Sequence, residues 1–113
     1  MSHGYSLYTH FPPISKAKRG EFRQSVARAF GDKPALEGSI SVSIIVNPPS
    51  EFSAEIAHVI DAVIDAIKLA GVIGKGSRID AISMERGLHR PGGGVLIRAQ
   101  VGRQERTDWR NAA

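Results

Sequence analysis

The sequence predicts a single α/β domain of the α+β kind, a mixed β-sheet with two helices packed on one face. Two short segments alternate apolar and polar residues with a period of two, two more read as strands, and two longer ones repeat at helical spacing. Their order, β-α-β-α-β-β, occupies 113 residues, enough for one hydrophobic core and too few for two.

The first strand is "YSLYTHF", where Tyr5, Leu7, Thr9 and Phe11 alternate with Ser6, Tyr8 and His10. Pro12 and Pro13 end it, because neither can donate to a ladder. From Lys18 to Phe30, Phe22, Val26, Ala29 and Phe30 recur at helical spacing and Gly31 is a suitable stop. "SISVSIIV" then sets Ile40, Val42, Ile44 and Val46 against serines, a strand with one buried face closed by "NPPS".

The second helix is the clearest element. Ile56, Val59, Ile60, Val63, Ile64 and Ile67 form one apolar stripe, so Ile60 and Val63 near its centre are expected to be buried. Ser53 suits the N-cap and Gly71 the C-cap. His58, Asp61, Asp65 and Lys68 lie opposite, where Asp65 and Lys68 could pair across one turn. "IDAISMER" and "GVLIRAQV" read as two strands joined as a hairpin by "GLHRPGG". The domain is expected to span 1–102. Residues 103–113 form a polar, Arg-rich tail with Trp109 as its one anchor.

With no cysteine, disulfides and thiolate metal sites are excluded and a reducing compartment suits the chain. The start, "MSHGYSLYTHFPP", lacks a basic segment followed by an apolar run, and no stretch is long enough to span a membrane. A cytoplasmic protein with no membrane partner is expected. The net charge of +4 is unevenly spread. Residues 1–31 hold five Lys/Arg and one acid, 32–72 two and six, and 73–113 eight and four. An acidic centre between basic flanks suits a phosphate-binding surface around a metal site, or simply a mildly basic surface.

This order and its punctuation resemble the RusA family of phage and bacterial Holliday-junction resolvases. The resemblance runs from about Phe11 to Val101 and is carried by "FPP", "SISVSIIVNPP", "VIDAVIDAIKLAGVIG", "IDAISMER" and "PGGGVLIRAQV". Arg86 falls where the family commonly has a lysine. The resemblance implies a homodimer that hydrolyses phosphodiesters at four-way DNA junctions with Mg²⁺. The implied chemistry lies in D-x-D-N-x-x-K at the head of the second helix and in an acidic pair after it. Such hydrolysis needs converging carboxylates to hold the metal that activates water.

Against that pattern, Glu55 replaces the first aspartate, Ala57 the second, His58 the asparagine and Asp61 the lysine. Lys75 and Gly76 occupy the acidic pair, so one carboxylate of four survives. A rebuilt site is the competing possibility. His58, Asp61 and Asp65 share one helix face, with Glu55 nearby, and His-plus-carboxylate sets bind Zn²⁺ or Mn²⁺. The plain alternative is a solvated helix face. Glu55, Asp61 and Asp65 are thus the catalytic candidates, and Glu55 and His58 the metal candidates.

The basic cluster Lys16, Lys18, Arg19, Arg23 and Arg28 follows the double proline, where the resemblance places the DNA-facing segment. Lys16, Lys18, Arg19 and Arg23, with Lys75 and Arg86, are the DNA-binding candidates. His89 and Arg90 could also touch a phosphate or simply be solvated. Low aromatic content, 6%, favours contact with the duplex backbone over base stacking. The reading that results is a DNA-binding pseudoenzyme of recombination or repair, acting on branched or duplex DNA, its nuclease activity lost and no cofactor needed. The alternatives are a phage-type interaction or inhibitor protein on the same scaffold, and an active junction endonuclease whose rearranged acids hold Mg²⁺.

Overall fold

Six elements follow one another in the predicted order: β1 (Gly4–Thr9), α1 (Lys16–Phe30), β2 (Ser39–Asn47), α2 (Ala57–Leu69), β3 (Arg78–Arg86) and β4 (Gly94–Val101). The computed structural model describes residues 4–9, 16–48 and 57–102, with the backbone alone for 16–18 and 57–58. The expected N-cap Ser53, the double proline and the tail 103–113 lie outside the described residues.

The strand order is β1-β4-β2-β3. β4 is antiparallel to both β1 and β2, and β2 is parallel to β3. Three strands therefore run one way and β4 runs against them. The segments β1-α1-β2 and β2-α2-β3 are two parallel crossovers stepping across the sheet in the same direction. Crossovers of the usual hand that step the same way put their helices on the same face, as the sequence predicts.

The predicted β3–β4 hairpin is not formed. β2 lies between the two strands, and residues 87–93 carry the chain over its end. That link is fastened to what it crosses. The Gly87 amide donates to the Val46 carbonyl (2.7 Å), Asn47 Nδ2 to the Leu88 carbonyl (2.8 Å) and the Arg90 amide to the Pro48 carbonyl (2.9 Å). Burial explains the arrangement. β4 carries the fully buried Val95 and Ile97, suited to a central position. β3 carries Arg78, Asp80, Glu85 and Arg86, all exposed, which an edge tolerates. Between Ile40 and Ser41 the β2–β3 register slips, leaving Asp80 as an unpaired bulge on that edge.

One core fills the space between sheet and helices. Leu7, Val42, Ile44, Val46, Val95 and Ile97 meet Phe22, Val26 and Phe30 of α1 and Val63, Ala66 and Ile67 of α2. At the lower end of α1, Phe30 packs edge-on against Tyr5 at 5.1 Å, and the Tyr5 hydroxyl donates to the Pro34 carbonyl (2.6 Å).

The buried seam of α2 is rotated from the predicted stripe. Val59, Ala62, Val63, Ala66 and Ile67 are buried, whereas Ile60 and Ile64 are only half-buried. Two of these five are alanines, whose short side chains permit a helix backbone to approach its neighbours closely. α2 then stops in a Schellman turn. The Val72 amide donates to the Ile67 carbonyl (3.0 Å) and the Gly71 amide to the Lys68 carbonyl (3.2 Å), with Gly71 at φ 84°. None of the described helices is long and apolar enough to cross a membrane.

Candidate nucleic-acid interface

The parallel course of β1, β2 and β3 gathers several groups at one end of the domain. Thr9 and Val46 both pair with Val95, and Val46 also pairs with Arg86, so the carboxyl ends of the three strands are level. Both helices run from this end toward the other. α1 finishes beside Tyr5, near the start of β1. α2 finishes where the Leu36 amide donates to the Val72 carbonyl (2.7 Å), just ahead of β2. The helix starts therefore lie at the strands' carboxyl end, where the helix dipoles place partial positive charge. Neither first turn contains an acid.

Most of the basic candidates collect here. Lys16, Lys18 and Arg19 belong to the start of α1, and Arg86 closes β3. His89 and Arg90 lie in the 87–93 link, both exposed. Arg90 Nη1 donates to the Tyr8 hydroxyl (3.0 Å), and its guanidinium carbon lies 5.6 Å from the Tyr8 ring centroid. Leu88 beside it is 85% exposed.

Two candidates are placed differently. Arg23 lies midway along α1 and is bound to Asp65 of α2. Its Nε donates to Asp65 Oδ2 at 2.7 Å, and its Nη2 is 2.7 Å from the same oxygen. Asp65 thus pairs between helices rather than with Lys68. This cation is already matched by a carboxylate, and this carboxylate by a cation. Both side chains are more than a third exposed, so Arg23→Gln is expected to lower stability by no more than about 1 kcal/mol in a urea titration. Lys75 lies at the opposite end of the domain. Its loop is held there by the Gly74 amide on the Leu36 carbonyl (2.8 Å) and by Ser77 Oγ, which accepts from the Gly38 amide (2.9 Å). Glu37 packs against Gly74, and its Oε1 accepts from Ser77 Oγ (3.2 Å).

Among the described residues the acidic candidates form no metal-holding group. Asp61 is exposed on α2 and Asp65 is held by Arg23. Glu55 lies outside the described residues, and of His58 only the helical backbone is described. At 1.5 Å per residue, Ala57 and Leu69 are about 18 Å apart. The head of α2 and the Lys75–Gly76 positions, which the resemblance places around one metal, are thus at opposite ends of a helix. Among the described residues no three His, Asp or Glu are grouped to hold a metal ion. The described residues do not fit a Mg²⁺ centre of the resolvase kind.

Two residues that sequence reasoning passed over are Tyr8 and Arg98. Both lie on the sheet face turned away from the helices. The signal for them was present in the alternation itself, which sets Tyr8 against the buried Leu7 and Arg98 against the buried Ile97. No protein-family model matches the chain, and no curated protein matches it.

Proposed function

We propose that the domain binds the sugar–phosphate backbone of DNA, duplex or branched, in a recombination or repair setting, without cutting it. The observation that carries this reading is the gathering of Lys16, Lys18, Arg19, Arg86 and Arg90 at the end where both helices begin. Helix N-termini and basic residues gathered at one end favour phosphate oxygens, and α/β units commonly bind ligands at the carboxyl ends of their strands. Contact of this type gives affinity that depends on salt and hardly on sequence, because each neutralised phosphate releases counterions. A homodimer, as the family resemblance implies, would present two such ends and suit a branched substrate.

Salt titration of duplex binding tests the proposal. The logarithm of affinity should fall linearly with the logarithm of salt concentration. Lys18→Gln combined with Arg19→Gln should reduce the slope by roughly 0.9 per lost contact, while Arg23→Gln leaves it nearly unchanged. Absence of duplex binding at low salt, where electrostatic attraction is strongest, would overturn the reading. It would favour instead an interaction protein, for which Leu88 is an exposed apolar contact at the same end among the described residues.

A further inference from the structure

The sheet shows one side to the helices, and no described element covers the other. On that bare side, Ser6, Arg98, Ser43 and Ser83 fall in one row across the four strands, and Tyr8, Leu96, Ile45 and Glu85 form the next. Arg98 is exposed and forms no ion pair with any described residue. Its neighbours in the row are short hydroxyl side chains, which leave the guanidinium accessible and add hydrogen-bonding capacity around it.

Tyr8 is 49% exposed on the same side. Its hydroxyl end lies over Gly94, where an added Cβ would run into it, so the ring needs a glycine beneath it. Arg90 holds the ring from the loop through the hydroxyl contact already described. An aromatic side chain fixed before binding loses little rotamer freedom when something stacks on it. Since Tyr8 is level with Leu96, Arg98 lies about 7 Å further along β4.

We propose that this bare face is a site for an unpaired nucleotide, whose base stacks on Tyr8 and whose phosphate is taken by Arg98. The inference rests on the nucleic-acid reading above and extends it from paired backbone to a single strand. The spacing of ring and guanidinium selects the occupant, since a base can stack on Tyr8 while its phosphate, about 7 Å away, meets Arg98. A duplex keeps its bases stacked inside and cannot offer a base to Tyr8, whereas a single strand or the unpaired part of a branch can.

The test is a fluorescence-anisotropy titration of the full chain with labelled oligothymidylate and, separately, with a labelled duplex. Tyr8→Ala should weaken single-strand binding roughly 5- to 150-fold, the range set by loss of one base–aromatic stack. Tyr8→Phe, which keeps the ring and loses the hydroxyl, should retain most of that affinity. Arg98→Gln, a surface change that spares the core, should lower the single-strand salt slope by roughly 0.7. Duplex affinity should stay within about twofold for Arg98→Gln, whose side chain is apart from the duplex contacts, and should fall less than single-strand affinity for Tyr8→Ala, which also releases Arg90.

If duplex binds and single-strand affinity is indifferent to both Tyr8→Ala and Arg98→Gln, this inference is overturned and the backbone reading stands. If neither nucleic acid binds at low salt, both fall. If oligothymidylate affinity is unmoved while Ile45→Glu dissociates an oligomer in sedimentation velocity, the bare face joins copies of the chain and the nucleotide site is wrong.

Discussion

Ile67→Ala is expected to lower the unfolding free energy by about 2–5 kcal/mol, and Ile60→Ala by only about 1–2 kcal/mol. Both positions are isoleucine on one helix, so side-chain chemistry and helix propensity are the same in the two variants. What differs is burial. Ile67 has 0% exposure, and a truncated side chain there leaves a cavity among close-packed neighbours. Ile60 is half-buried, so solvent and flexible neighbours can refill the space. A domain of this size has about 5–15 kcal/mol in all, and the Ile67 variant should melt on the order of ten degrees or more lower. Thermal and urea denaturation of the two proteins measure the difference directly. Equal losses would place the buried seam of α2 where the large side chains alone suggest, and would undo the rotation described here.

That rotation marks the limit of reading a helix from hydrophobicity. The stripe through Ile56, Ile60 and Ile64 collects the bulkiest residues, but the buried seam runs through Ala62 and Ala66 with Val59, Val63 and Ile67. Alanine adds little to an apolar stripe, yet it sets how near two backbones can come. The strands were legible for the opposite reason. With a period of two, Ile40, Val42, Ile44 and Val46 can face the core together in only one way, and all four are buried. Periodicity assigns faces but not neighbours. A link such as 87–93 can close a hairpin or step over one strand. The choice fell to β2, an interior strand with a partner on each side, β4 and β3. The charges of β3 on both of its faces were the available clue.

The candidate site was legible in composition more than in placement. Lys16, Lys18, Arg19 and Arg86 are distant in sequence and reach one end because β1, β2 and β3 are parallel. Arg23 has the same charge and sits only four residues from Arg19, yet Asp65, 42 residues away, claims it. No local pattern announces that pairing, since it depends on how two helices face each other. Lys75 was grouped with the DNA-facing cations on the strength of a motif position, and the turn after α2 takes it to the other end.

Four-way DNA junctions incubated with the protein in Mg²⁺ or Mn²⁺ are expected to remain uncut, at least orders of magnitude below the rate of a metal-dependent nuclease. Lys75 and Gly76 stand where the resemblance expects acids, but distance is the stronger reason. Oxygen ligands of one ion must lie within about 2.0–2.6 Å of it, so they must come within a few ångströms of one another. Within one chain α2 separates its head from the Lys75 loop by about 18 Å of helix, and Asp65 on its flank is bound to Arg23. Restoring acids should therefore fail as well: Lys75→Asp with Gly76→Asp is expected to gain no cleavage, although those changes rebuild the motif on paper. Denaturing gels of end-labelled junction strands provide the readout. Symmetric nicks from the wild-type protein that vanish in Glu55→Ala or Asp61→Ala would mean a rearranged acidic site is at work. Nicks that appear only in the Lys75→Asp, Gly76→Asp protein would mean that a second copy brings the two ends of α2 together, since one chain cannot.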